Sequence, residues 1–126
     1  MSDSNTPALI RCGPAEGVPL VWTPSRVVRG TAEQRAWVLY EDATGQFAAG
    51  IWECDEGCWE VHYTESEFFQ MLEGRIRIVD AAQNVREVVA GESFVIPVGF
   101  RGTWEVLEPA RKYFVTFETK AIDSEP

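Results

Sequence analysis

Histidine and cysteine are scarce in this sequence. It contains one histidine, His62, and three cysteines, Cys12, Cys54 and Cys58, in 126 residues. A single histidine excludes a metal site built on three imidazoles. Three cysteines are odd in number and too few for a disulfide framework or a four-thiolate zinc site. We therefore expect the cysteines to be small reduced side chains in or near the core.

Basic residues and long apolar runs are also lacking. Eleven Lys and Arg stand against 20 Asp and Glu, so the formal net charge is −9. Such a chain repels polyphosphate and anionic lipid surfaces. No apolar run approaches the roughly 18 residues of a membrane span, and residues 1–7 lack the basic and apolar parts of a secretion signal. We expect a cytoplasmic protein with no nucleic-acid and no membrane partner.

The sequence does contain enough apolar material for one domain. Hydrophobic residues make up 45% of it, including seven Phe, five Trp and three Tyr, which suffices for a single core at this length. Four of the seven prolines fall in the first 30 residues, among scattered Gly and Ser, a composition typical of loops and edge strands. We expect an N-terminal extension over 1–30 whose first residues are disordered, a β barrel over 31–120, and a tail over 121–126.

Short β-like runs separated by Gly, Asp, Asn and Pro recur about every ten residues from Gln46 onward, which is typical of an all-β sandwich or barrel. Residues 66–73 have a helical periodicity, but their position between two strands favours a further strand equally well. Residues 108–110 contain Pro109 and are predicted to be a turn between two strands. The predicted strands are 37–40, 47–54, 59–64, 74–80, 86–89, 93–97, 102–107 and 112–119.

Several spaced motifs are shared with a known superfamily. They include Gly57-x-Trp59, Leu72-Glu73-Gly74, Ala90-Gly91-Glu-Ser-Phe94 and Pro97-x-Gly99. Over residues 37–119 the chain resembles the cupins, and within them the small single-domain proteins similar to the cupin domain of (S)-ureidoglycine aminohydrolase. The resemblance implies an all-β fold, a double-stranded β-helix of the jelly-roll type in one domain. It implies little about function, because one fold hosts many chemistries.

The same resemblance implies a metal centre with two histidines on one strand and a glutamate after them. With Glu67 as that glutamate, the histidine pair falls either on Val61 and Tyr63 or on Glu60 and His62. Successive side chains on a strand face opposite ways, so these are two opposite faces. The apolar face should point into the barrel, which favours Val61 and Tyr63 there and a barrel without a metal or other cofactor.

The third histidine of the implied centre would follow the Pro-x-Gly turn, and that position holds Gly102. Trp104, two residues further on, shares its face and could fill the volume that a metal and substrate need. The rival register stays open: it offers Glu60, His62 and Glu67 as a carboxylate-rich set for a divalent metal such as manganese or zinc.

Aromatic walls with a few polar groups describe a pocket for a small molecule, although they also describe an ordinary core or a dimer face. Glu67 is the candidate catalytic residue, because a carboxylate inside an aromatic barrel can serve as general acid or base. Without a partner such as Tyr63, Lys112 or an arginine, its charge would be costly to bury. The predicted pocket residues are Trp52, Val61, Tyr63, Glu67, Trp104 and Lys112.

Three functions are compatible with these residues. The first is a small cupin that binds a small metabolite, nitrogen-containing or carboxylated, in the barrel. The second is a hydrolase or isomerase related to ureidoglycine aminohydrolase, with Glu67 as acid or base and with or without a metal held by His62. The third is a structural or regulatory partner protein. Exposed sheet edges and apolar faces also favour a homodimer.

Overall fold

The computed structural model describes residues 6–120, in which there are nine β-strands and no helix. The strands are β1 Leu20–Trp22, β2 Val27–Gly30, β3 Gln34–Glu41, β4 Phe47–Cys54, β5 Gly57–His62, β6 Ser66–Asp80, β7 Val85–Val89, β8 Ser93–Ile96 and β9 Arg101–Phe117. The all-β prediction is confirmed. Within the described residues, no helix could cross a membrane.

Two long strands organise the fold. β6 and β9 pair antiparallel over most of their length, and each serves two different neighbours on its other edge. The C-terminal half of β9 pairs with β4 and its N-terminal half with β5. In the same way, β6 pairs first with β8 and then with β7. The sheet therefore curls into two halves that share β6 and β9, with the core between them, as in a jelly roll.

Alternation along the strands decides which side chains reach the core. On β4 and β6, Trp52 and Phe69 point inward, while Glu53 and Phe68 on the same strands are partly or largely exposed. The inward row of β9 is unusual because it contains a lysine, Lys112, between apolar neighbours. The buried cluster comprises Ala32, Trp52, Cys54, Trp59, Phe69, Met71, Ile76, Ile78, Val88, Ile96, Trp104, Val106 and Ala110.

Two local predictions are resolved by these pairings. Residues 66–73 are strand, because β6 is held between β8 and β9 there. The turn predicted at residues 108–110 is wrong: β9 runs through it without a break. Pro109 is tolerated because the register of β6 shifts opposite it, and Gly74 lies at that irregularity with a φ of +87°. A Cβ at Gly74 would lie 2.2 Å from the carbonyl oxygen of Pro109, so the close approach of the strands requires glycine.

The first part of the chain supplies the outermost strands. β1 pairs with β3, and β2 pairs with β5, at the two ends of the strand order. The Trp37 indole N–H donates to the carbonyl of Gly17 at 3.0 Å, which holds the segment before β1 against β3. The predicted disorder of the first residues and the predicted tail at 121–126 fall outside the described residues, except for Thr6 onward.

Candidate functional site

A cavity of about 990 Å³ lies at the mouth of the curled sheet. Trp52, Trp59 and Trp104 form its aromatic floor, with ring centroids between 5.7 and 6.5 Å apart. These rings come from β4, β5 and β9. Trp59 on β5 is directly opposite Trp104 on β9 in the strand register. Further lining side chains are Gln34, Val61, Tyr63, Glu65, Glu67, Thr103, Lys112, Phe114 and Thr116.

The ammonium of Lys112 lies inside an aromatic cage. Its Nζ is 4.5 Å from the ring centroid of Trp52, 4.3 Å from that of Trp104 and 4.9 Å from that of Phe69. These distances are within the range of cation–π attraction. The strand register produces this cage, because Lys112 is directly opposite both Trp52 and Met71. The side chain of Lys112 is only 5% exposed, a burial that lysine tolerates only with compensating partners.

Glu67 supplies the opposite charge. Its Oε2 is 2.6 Å from Lys112 Nζ, and its side chain is 8% exposed. The same oxygen has no hydrogen-bond partner of acceptable geometry among the described residues. The contact is therefore a close, buried ion pair.

Tyr63 borders this ion pair from the end of β5. Its backbone is fixed by two bonds to the turn before β9: its N–H donates to Phe100 O at 2.9 Å and its carbonyl accepts from Gly99 N–H at 2.8 Å. Burial raises the pKa of the Tyr63 hydroxyl well above its ordinary value, and the neighbouring Glu67 carboxylate, as charge and as acceptor, raises it further. Tyr63 is therefore a neutral hydrogen-bond donor at physiological pH.

A second carboxylate, Glu65, also lines the cavity. Burial raises the pKa of Glu65, and the negative charges of Glu67 and Glu118 raise it further, while Lys112 and Lys120 act in the opposite direction. Glu65 is thus more easily protonated than an exposed glutamate. The two cavity carboxylates differ in their surroundings, because Glu67 has the adjacent ammonium.

The indole N–H groups of Trp52 and Trp104 differ in their hydrogen bonding. The indole N–H of Trp52 donates to Gln34 Oε1 at 2.8 Å, and both residues are buried. Trp104 is 1% exposed, and its Nε1 has no hydrogen-bond partner among the described residues. Sequence reasoning missed Gln34, because the strand that carries it was predicted to begin at Trp37. The available signal was the spacing: Gln34 lies two residues before Ala36 and therefore on the same inward face of the strand.

The arrangement does not fit the metal centre that the resemblance implied. Glu60 and His62 are exposed on β5 and border the cavity, whereas Glu67 is buried next to Lys112, and the three do not form a group that could hold a metal. No group of three His, Cys, Asp or Glu that could hold a metal occurs within residues 6–120. A Cβ at Gly102 would lie 1.9 Å from the carbonyl oxygen of Val79, which leaves no room for a histidine there.

The residues predicted from sequence to line a pocket lie around this one cavity. The lining includes all six: Trp52, Val61, Tyr63, Glu67, Trp104 and Lys112. The Trp104 ring lies beside the ammonium of Lys112. Chemically, the cavity offers aromatic faces beside a buried ion pair.

Comparisons with known proteins give a family model and several solved structures. The model of the EutQ-like cupin domain matches residues 41–114. The structure resembles the EutQ protein of Clostridium difficile (TM-score 0.60, 19% identity), with 69% of this chain and 64% of that one covered. It resembles a putative EutQ of Salmonella typhimurium (TM-score 0.63, 16% identity), with 86% of this chain and 100% of that one covered.

A further similar structure is a protein of unknown function from Pseudomonas syringae pv. tomato, with a TM-score of 0.72 and 17% identity. The match covers 82% of this chain and 46% of that one. The chain thus spans less than two thirds of the Clostridium and Pseudomonas proteins. No curated protein matches it. At these identities, the structural likenesses show the fold and carry no function across.

Proposed function

This chain belongs to the EutQ-like cupin domain family, and we propose that it binds a small metabolite in its barrel cavity without a metal centre of its own. Members of a family with this fold serve varied functions, so the proposal depends on the cavity itself. The observation that carries it is the Lys112–Glu67 ion pair, which lies inside an aromatic cavity rather than on the surface.

The size and lining of the cavity support this function. Pockets for small molecules usually enclose about 300–1,000 Å³ and combine apolar walls with a few placed polar groups. The cavity here, at about 990 Å³, reaches the upper end of that range, and part of this volume is open to solvent at the mouth. A resident ammonium also makes a divalent cation at Glu67 unfavourable, because two like charges would then share one carboxylate.

A ligand screen by thermal unfolding tests the binding function. We expect at least one compound from a panel of ureides, amines, amides and carboxylates to raise the melting temperature with increasing concentration. Thr116→Phe, which adds bulk to the cavity lining, should remove that response. Thr119→Phe, at an exposed position after β9, should keep it. A panel without any response would contradict the proposal.

The metal content tests the second half of the proposal. Plasma mass spectrometry on untagged protein, purified without chelator, should find no stoichiometric transition metal, and chelator should leave the melting temperature unchanged. Near-stoichiometric manganese, iron, zinc or nickel would contradict a metal-free site and would return attention to Glu60, His62 and Glu67.

The predicted cytoplasmic location and the absence of nucleic-acid and membrane partners remain predictions from composition.

A second candidate function is catalysis by a hydrolase or isomerase related to ureidoglycine aminohydrolase. It is favoured by Glu67, a largely buried carboxylate that lines the cavity, the kind of group that serves as a general acid or base. Glu67→Gln should then abolish turnover at a temperature well below its unfolding transition, while Glu65→Gln, at the other cavity carboxylate, should lower it less. Equal turnover in native protein and Glu67→Gln would exclude this role.

A further inference from the structure

The chain between β1 and β2 bridges the two sides of the cavity floor. Trp22 ends β1 directly opposite Gln34 on β3, and Val27 begins β2 directly opposite Trp59 on β5. In the strand order, β4 and β9 lie between β3 and β5, and they carry the other two tryptophans of the floor and Lys112. The chain therefore leaves one side of the floor with β1 and returns on the other side with β2.

This bridge is short. Only residues 23–26 separate the two strands, so Trp22 and Val27 are at most about 18 Å apart even with the chain fully extended. Trp22, Pro24, Ser25 and Arg26 all line the cavity. We call residues 18–28, which comprise the bridge, β1 and the start of β2, the strap.

The strap is weakly held. None of its residues is buried, and Val18 and Leu20 are 96% and 63% exposed. Within residues 6–120, its side chains form one ion pair, in which Arg26 lies 3.7 Å from Glu60 and both side chains are more than half exposed. Such a pair contributes little. Edge segments with few buried apolar contacts open at a much lower free energy than the core.

Firm contacts begin just outside the strap on both sides. Before it, the carbonyl of Gly17 accepts a hydrogen bond from the Trp37 indole N–H at 3.0 Å. After it, Arg29 forms an ion pair with Glu105, and Ala32 is completely buried. These anchors confine any opening to the residues between them.

From this arrangement we infer that the strap lifts away from the barrel while the rest of the chain stays folded, and that this movement admits a ligand to the tryptophan floor and Lys112. With the strap in place, the side chain of Lys112 is only 5% exposed. The movement belongs to the chain without ligand, so its test is separate from that of the proposed binding function.

A reversible disulfide between the strap and β3 provides the test. Val21 and Arg35 are directly opposite in register, so Val21→Cys with Arg35→Cys can join β1 to β3. Leu20 and Ala36 form the adjacent pair and provide a second variant, because successive antiparallel pairs alternate between wide and close Cα spacing. Both variants also carry Cys12→Ser, which removes the exposed native cysteine.

The readout is the rate at which sulfosuccinimidyl acetate acetylates Lys112, followed by peptide mass spectrometry. Lys120 is the only other lysine, and it is exposed, so it serves as an internal control. We expect the oxidised variant to acetylate Lys112 at least about tenfold more slowly than its own reduced form, which corresponds to about 1.4 kcal/mol of opening free energy. The rate at Lys120 should not change.

A second disulfide separates strap opening from global unfolding. Arg75→Cys with Val89→Cys joins β6 to β7 at directly opposite positions, away from the strap. Like Val21 and Arg35, these residues are 14 positions apart in the sequence, so both disulfides constrain the unfolded chain to a similar degree. The β6–β7 disulfide should leave the acetylation rate of Lys112 unchanged.

Three results would overturn the inference. They are equal Lys112 rates in the oxidised and reduced strap variants, equal slowing by the β6–β7 disulfide, and native protein in which Lys120 reacts but Lys112 never does. Any of them would leave the proposed binding function standing, because no ligand takes part in the experiment.

Hydrogen exchange of the native protein decides the question if neither strap disulfide forms. The Glu60 amide donates to the carbonyl of Arg26 in the strap at 3.0 Å, whereas the Met71 amide donates to Glu92 at 2.9 Å in the barrel. We expect Glu60 to exchange through an opening that costs less free energy than the opening that exposes Met71. Equal opening free energies would show that the strap does not move by itself.

Discussion

At the scale of single residues, the buried ammonium of Lys112 determines what its neighbours must do. The chain uses arginine for nine of its 11 basic residues, and almost all of them lie at the surface. The one buried cation within residues 6–120 is a lysine, whose small charged head fits between three ring faces where a planar guanidinium would need more space. Glu67 then becomes a structural partner as well as a candidate functional group.

The ion pair makes a prediction about stability. Lys112→Met should destabilise the fold by about 3–5 kcal/mol, because it leaves the Glu67 carboxylate buried without its counter-charge. Glu67→Gln should have an effect of the same sign. The double variant should be more stable than the sum of the single effects predicts, since it removes both charges. Urea unfolding of the four proteins measures this coupling, and additive effects would show that the two charges act independently.

A second prediction concerns Cys54 at high pH. Burial, and to a lesser degree the negative charge of Asp55, raises the pKa of the Cys54 thiol to about 12. The folded protein therefore holds this proton more tightly than the unfolded chain. The resulting stability is complete below the unfolded thiol's pKa near 9 and is lost as the pH rises toward 12.

Urea unfolding at about pH 8 and about pH 10.5 should show that Cys54 accounts for a loss of about 2 kcal/mol over this interval. Cys54→Ala should reduce the loss by that amount. Cys12→Ala, which changes an exposed cysteine, should leave it unchanged. If the native protein and Cys54→Ala lose the same stability, the thiol does not titrate as its burial implies.

At the scale of elements, the irregular pairing of β6 with β9 is the feature that the fold depends on. Gly74 combines a positive φ with a close backbone contact, because a Cβ there would lie 2.2 Å from Pro109 O. Gly91 has a similar φ of +92°, yet no described atom lies within 4 Å of its Cβ position. Comparing substitutions at these two glycines therefore distinguishes the cost of the left-handed backbone from the cost of steric overlap.

Alanine substitutions at these two glycines should therefore differ. Gly91→Ala should cost about 1–2 kcal/mol from its left-handed backbone alone. Gly74→Ala should cost at least about 2 kcal/mol more, because backbone atoms of β9 would also have to move. Thermal or urea unfolding measures both. Similar losses in the two variants would mean that the strands can separate at this point without a penalty.

At the scale of the whole molecule, the two outer faces of the curled sheet have different character. One face carries a ladder of ion pairs across β7, β6 and β9, in which Arg75 and Arg77 bind Glu87, Glu105 and Glu108. The other face, formed by β8, β6, β9, β4 and β3, carries exposed apolar side chains. We call it the outer apolar face, and it comprises Tyr40, Phe47, Phe68, Val95 and Phe117.

We expect the chain to form a homodimer through the outer apolar face, since an apolar row across adjacent strands is normally covered. Size-exclusion chromatography with light scattering should give twice the chain mass of 14.2 kDa. Phe68→Asp should shift the protein to the monomer mass. Val89→Asp, at a residue with the same 43% exposure on the charged face, should not. A native monomer, or no difference between the variants, would contradict this expectation.

Most of the fold was predictable because the sequence signals for its strands and turns lie within a few neighbouring residues. Alternating apolar residues and regular turn signals locate most of the strands, including β4 at its observed limits of Phe47–Cys54. The course of β9 through Pro109 was not predictable in this way. A proline normally ends a central strand, and here only the register shift in β6 makes it acceptable.

The sequence by itself determined an all-β chain, the inward face of β5 and the set of aromatic and charged residues around the cavity, because strand periodicity depends on near neighbours alone. Only the tertiary structure decided which of those residues meet. Glu67, Trp104 and Lys112 lie on different strands or in different halves of a strand, and the pairing of β6 with β9 brings them together. The strand register therefore determines that Lys112 is the buried cation beside Glu67, and no local sequence pattern specifies that register.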